Sequence, residues 1–165
     1  MSSAATAVSF QHPEFIAARP EEVQLEDAPI DTEWIVSGAP VARSGLHSPS
    51  LDGKASTNIW ECTAGRFWWT FHNEETVVIL EGSVRVTSQN GAERLLKAGD
   101  IAYFAKDTKA FWEIDDYVRK IAFVRHPYSK QVMALRGMLA RMKRGAAPAM
   151  LTPGLLGTLG AMLPL

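Results

Sequence analysis

Two residues able to do chemistry lie close together in the stretch WWTFHNEETVVILEGSVRV, residues 68–86. Glu75 is a carboxylate at the head of an apolar, β-branched run. A carboxylate aimed into apolar surroundings loses the hydration that favours its charged form, so it is suited to exchange protons near neutrality or to hold a cationic or amide-bearing ligand. His72, three residues earlier, and Lys120, in the run FWEIDDYVRK, are the side chains placed to assist it. Trp69, Phe71 and Trp112 are the aromatic residues that would surround such a group. A structural alternative stands beside each reading. Glu75 could be a salt-bridged strand-end residue paired with Arg66, Arg119 or Lys120, and the rings could fill the interior as core with no open pocket.

The remaining reactive residues point to structure. Cys62 sits beside Trp60 with no histidine or basic residue near it in sequence, so an inert buried thiol is expected. Arg119 and Lys120 have Glu113, Asp115 and Asp116 close by as ion-pair partners. His126 precedes Pro127 at a strand end, which suggests a surface position. His47 and Ser48 fall in GLHSPSLDGKAS, residues 45–56, whose Gly, Pro, Asp and Ser predict a loop.

The elements that position these residues follow from periodicity. Between Asn58 and Arg125 short β-rich runs alternate with turn signals: 59–62, 66–72, 76–80, 83–88, 93–96, 101–104, 111–114 and 120–125. Asn90-Gly91 is a strong hairpin signal, and Glu81-Gly82 and Gly99-Asp100 read as two further turns. Connections this short cannot hold crossover helices, so the strands should pair antiparallel and close into a jelly-roll barrel. Strand alternation puts residues 67, 69 and 71 on one face and 68, 70 and 72 on the other, which turns His72 away from the space that Trp69 and Phe71 line.

Around the barrel the chain divides into an N-terminal arm and loop at 1–57, the barrel at 58–127, and a C-terminal segment at 128–165. The arm carries irregular apolar anchors at Phe10, Phe15, Trp34, Ile35 and Val36. In the last segment Val132, Leu135, Met138, Leu139 and Met142 recur at helical spacing among basic residues, predicting one amphipathic helix that ends near Gly145. The final twenty residues have no charged side chain, but three prolines and three glycines argue against a spanning helix, so a packing or interface role is expected rather than membrane contact.

Composition narrows the function classes. At 165 residues and 47% hydrophobic content, the chain can build one domain with a real core. A net charge of −1 gives no field for nucleic acid, which is not expected as a partner; a small-molecule ligand and a homodimer are. A single cysteine and a start without the charged and apolar regions of a secretory signal point to the cytoplasm.

Gly65, Glu75 and Gly82 resemble the first sequence motif of the cupins, and Gly99-Asp100 resembles the start of the second. The pieces WECTAGRFWW, EETVVILEGSVRVT, LLKAGDIAYF and FWEIDDYVRK are most similar to the EutQ-like and ureidoglycine aminohydrolase-like subgroup. The resemblance covers about residues 58–125. It implies an all-β, RmlC-like jelly-roll barrel, an antiparallel double-stranded β-helix, with the arm, the helix and the apolar tail as additions. The family's metal-binding histidines fall here on Trp69 and Phe71, or on Trp68 and Thr70 with the longer spacing, and the third falls on Ala110. Of the four ligand positions only Glu75 keeps a donor, so neither a metal nor another cofactor is expected.

Overall fold

Alternation and β-branching over the middle of the chain produce long strands. The computed structural model describes residues 13–145, so Phe10 and the tail 146–165 lie outside the described residues. The strands are β1 (Glu26–Asp27), β2 (Ile35–Gly38), β3 (Ala42–Pro49), β4 (Ala55–Phe71), β5 (Glu74–Ser88), β6 (Glu93–Lys97), β7 (Ile101–Phe104) and β8 (Thr108–Arg125), and all pair antiparallel.

Three strands of 15 to 18 residues organise the barrel. β8 pairs with β4 on one side and β5 on the other along nearly its whole length. The shorter strands extend each half. One row runs Ser48, Thr57, Phe123, Thr76, Tyr103 across β3, β4, β8, β5 and β7; the other runs Ile35, Phe67, Trp112, Val86, Arg94 across β2, β4, β8, β5 and β6. The halves fold face to face because the long strands bulge where the halves meet, at Thr63/Gly65 in β4 and at Ile79/Glu81 and Gly82/Arg85 in β5. A single core cluster fills the space between them.

This corrects two sequence expectations. Pairs of expected strands merge, and Glu81-Gly82 is a bulge within β5 rather than a turn. Gly82 has φ 70, and a Cβ built there would lie 1.9 Å from the Tyr117 carbonyl oxygen, so the backbones come too close for any side chain. Residues 26–27, 35–38 and 42–49 are strands of the sheet rather than parts of an arm packed on it, and His47 and Ser48 lie on β3, with the loop reduced to Ser50–Lys54. Irregular apolar spacing hid these strands because β2 and β3 each face the core with few residues. The Asn90-Gly91 and Gly99-Asp100 turns are present: Gly91 N donates to Ser88 O at 2.9 Å and Lys97 N to Asp100 Oδ2 at 2.8 Å.

The chain divides into two units, the first ending at Pro127. The second holds α1 (Lys130–Gly145), whose first turn is met by Ser129: its carbonyl accepts from Met133 N at 3.0 Å. Among the described residues no helix is long and apolar enough to cross a membrane.

Candidate functional site

Alternation on β8 sends Val118, Lys120 and Ala122 into the barrel, and all three are buried. A lysine there needs a partner for its charge, since an unpaired buried cation is strongly disfavoured. Glu75, inward-facing on β5, supplies it: Lys120 Nζ donates to Glu75 Oε1 at 2.6 Å, with the two side chains 4% and 12% exposed. The ammonium also lies 4.8 Å from the ring centroids of both Trp60 and Trp112. Trp60 is the cross-strand partner of Lys120 on β4, whereas Trp112 comes from the opposite half of the barrel. An ion pair and two indole faces therefore hold one cation in the core.

The rest of the interior is aromatic. Trp112 lies 5.9 Å from Trp60, 5.8 Å from Phe104 and 6.3 Å from Phe67 between centroids; Trp69 lies 5.9 Å from Trp60; Phe71 stacks on Phe104 at 4.2 Å. Phe71 and Trp112 are almost completely buried and Trp69 is partly buried. A groove of about 330 Å³ between β5, β6 and β7 reaches this interior at Val86, Leu96 and Phe104; neither it nor one of about 460 Å³ between β3, β4, β5 and β8 is lined by Glu75, Lys120, Trp60, Trp69, Phe71 or Trp112. Between the two sequence readings of these rings, the packing supports a filled interior. Within it, Trp60 Nε1 and Trp112 Nε1 are buried and have no hydrogen-bond partner among the described residues.

The structure thus brings together Glu75, Lys120, Trp69, Phe71 and Trp112. His72 is exposed at the end of β4, 6.3 Å from the Trp34 ring, and makes no hydrogen bond with Glu75 or Lys120. Arg119 and Lys120 do not pair with Glu113, Asp115 or Asp116. Their opposite facing on β8 separates them: Arg119 approaches Glu61 at 3.8 Å and donates to Pro20 O at 2.8 Å, while Lys120 turns inward. Sequence reasoning missed Trp60, whose signal was available in its even spacing with Asn58 and Cys62 on β4. It also missed Glu61, a buried carboxylate on the outer face bound by Arg43 and by the Tyr117 hydroxyl at 2.8 Å. Burial pushes the Glu61 carboxyl up, but the Tyr117 and Arg43 hydrogen bonds and the charges of Arg43 and Arg119 outweigh it and leave the group below its ordinary value. Cys62 is fully buried, and burial drives its thiol up to about 12 against a smaller opposing effect of Lys120.

Residues 49–122 match the family model of the EutQ-like cupin domain. Over this span the chain is similar to an EutQ-like cupin domain. Among solved structures, a protein of unknown function from Pseudomonas syringae pv. tomato is similar to this chain at 23% identity and TM-score 0.58, over 63% of this chain and 45% of that one. This chain therefore matches less than half of the Pseudomonas protein. A predicted oxalate decarboxylase from Thermotoga maritima is similar at 17% identity and TM-score 0.53, over 68% of this chain and 100% of that one. An RmlC-like cupin from Shewanella frigidimarina is similar at 12% identity and TM-score 0.51, over 72% and 96%. These likenesses establish the cupin jelly-roll fold. No curated protein sequence matches the chain.

A metal in a cupin barrel needs several convergent donors, and the positions that would supply them carry other chemistry in this cupin domain. Trp69 and Ala110 are direct cross-strand partners, and Phe71 pairs with Thr108. Two rings and a methyl group offer no lone pairs to a cation, and Glu75 already meets Lys120. Among the described residues no three of His, Cys, Asp and Glu come together. The donor set does not fit a divalent ion.

Proposed function

We propose that the cupin barrel binds a small polar metabolite through its own side chains, as a sensor or accessory protein. The observation that carries this reading is the Lys120–Glu75 pair inside an aromatic core. A buried ion pair is a weak contributor to stability, and well-packed apolar residues in its place are often as good or better. Its position between indole rings with unpartnered N–H groups therefore supports recognition rather than packing. The test is a metabolite screen by thermal shift on the natural chain and on the Lys120→Met/Glu75→Leu double variant, which keeps an apolar interior. A metabolite that raises the melting temperature of the first and leaves the second unmoved supports the reading. Equal shifts in both, or none across the screen, would sink it.

A second reading, an enzyme acting on a small metabolite with Glu75 as acid or base and Lys120 assisting, draws on the same 2.6 Å contact, in which Glu75 is the more accessible partner. In that case Glu75→Gln abolishes turnover while the chain stays folded. For a homodimer the outer face offers Ile101 and Tyr103 on β7 and Phe123 on β8, exposed apolar side chains on the two strands that flank β5.

A further inference from the structure

We infer that α1 is a membrane-surface helix, which lies along an anionic lipid bilayer with its apolar stripe toward the acyl chains and its arginines at the lipid phosphates. This goes beyond the reading of the barrel and stands independently of it.

The stripe comes first. Val132, Leu135, Met138, Leu139 and Met142 recur at three- and four-residue spacing, which places them along one side of an α-helix, and all five are exposed, by 40% to 61%. A helix of 16 residues is marginal in water by itself and gains most of its stability from covering such a side. At 1.5 Å per residue α1 is about 24 Å long, shorter than the roughly 30 Å apolar core of a bilayer. Among the described residues no helix is long and apolar enough to cross a membrane, so α1 would lie in the plane of the surface.

Charge then selects the partner. Residues 130–145 carry Lys130, Arg136, Arg141, Lys143 and Arg144 and no aspartate or glutamate, in a chain whose net charge is −1. By the helical repeat, Arg136 and Arg141 fall on the two flanks of the stripe, and both are exposed. A second copy of α1 would bring two such stripes together with no acidic side chain on either helix to pair with the cations. A nucleic acid supplies phosphates but no apolar layer for the stripe. An anionic bilayer supplies both at adjacent depths. The twenty residues that follow α1 in sequence contain no charged side chain, so they add no group that would oppose contact with the apolar layer.

The experiment is co-sedimentation of the full chain with vesicles of phosphatidylcholine, either pure or with one lipid in three replaced by phosphatidylglycerol. The expected result is saturable binding to the anionic vesicles at low salt, at least tenfold weaker on the neutral vesicles and in half-molar salt. Arg136→Gln/Arg141→Gln and Leu135→Gln/Met138→Gln should each weaken it at least fivefold. Glutamine keeps the helix propensity, all four positions are exposed, and near-ultraviolet circular dichroism verifies that the barrel of each variant is folded. Equal binding to both kinds of vesicle, or binding that neither variant weakens, would overturn the inference and assign the contact to residues 146–165. If no vesicle is bound the inference also fails, and two readouts name the occupant instead. Loss of dimer mass in Leu135→Gln/Met138→Gln by light scattering would assign the stripe to a second copy of the chain, and binding of an oligonucleotide by the full chain would assign the charges to nucleic acid.

Discussion

Lys120 and Glu75 depend on each other because, among the described residues, each is the other's only counter-charge in the core. Removing one partner leaves a buried charge unpaired, which costs about 3–5 kcal/mol, whereas removing both does not. Lys120→Met is therefore expected to lower unfolding free energy in urea by about 3 kcal/mol, with the Lys120→Met/Glu75→Leu chain recovering most of it. Matching losses in the single and double variants would show that the pair is not what holds the site. Three other residues contribute to the pH dependence of stability. The Glu61 carboxyl titrates lower in the fold than its ordinary 4.5, so the stability it contributes is present above that value and lost as pH falls through the lowered folded value. Cys62 moves from 9.0 to about 12 and Tyr117 from 10.0 to about 12, each raised chiefly by burial, with Glu61 also acting on Tyr117. Their neutral forms are favoured in the fold, so stability is intact below pH 9 and falls as pH rises toward 12. Melting temperature against pH should show both limbs; Glu61→Gln should flatten the acid one and Cys62→Val the alkaline one.

At the scale of elements, β4, β5 and β8 carry the architecture, and their bulges decide which side chains reach the interior. Gly82 and Gly99 separate two effects that the sequence cannot. Both have positive φ, but a Cβ on Gly82 meets the Tyr117 carbonyl at 1.9 Å and one on Gly99 meets nothing within 4 Å. Gly99→Ala should cost only the left-handed backbone penalty, about 1 kcal/mol. Gly82→Ala should cost several-fold more, because β5 and β8 must move apart; equal losses in thermal unfolding would refute the close approach. The existence and alternation of these strands were legible in the sequence, as was the inward facing of Phe67, Trp69 and Phe71. Their lengths were not, since a glycine with positive φ looks the same in a turn and in a bulge until the neighbouring strand is known.

At the scale of the whole molecule, the chain carries an uncharged twenty-residue end and exposed apolar side chains on the outer sheet face. Light scattering of the full chain is expected to give twice the chain mass. Phe123→Lys or deletion of residues 146–165 should shift it toward the monomer, and a monomer at micromolar concentration in the full chain would end the dimer proposal.

The residue types along the chain, by themselves, determined an antiparallel barrel with aromatic side chains on one strand face and the absence of histidines where a cupin would place its ligands, while leaving Glu75 open between an inward carboxylate and a salt-bridged strand-end residue. These are local properties, set by alternation and spacing within one strand. Which cation Glu75 meets was open among Arg66, Arg119 and Lys120, and tertiary structure decided it for Lys120, 45 residues away. That choice depends on register across β4, β8 and β5 and on the halves closing face to face, so that Trp112 arrives opposite Trp60 with the ammonium facing both rings. Periodicity says which way a side chain points; only the closed barrel says what it finds there.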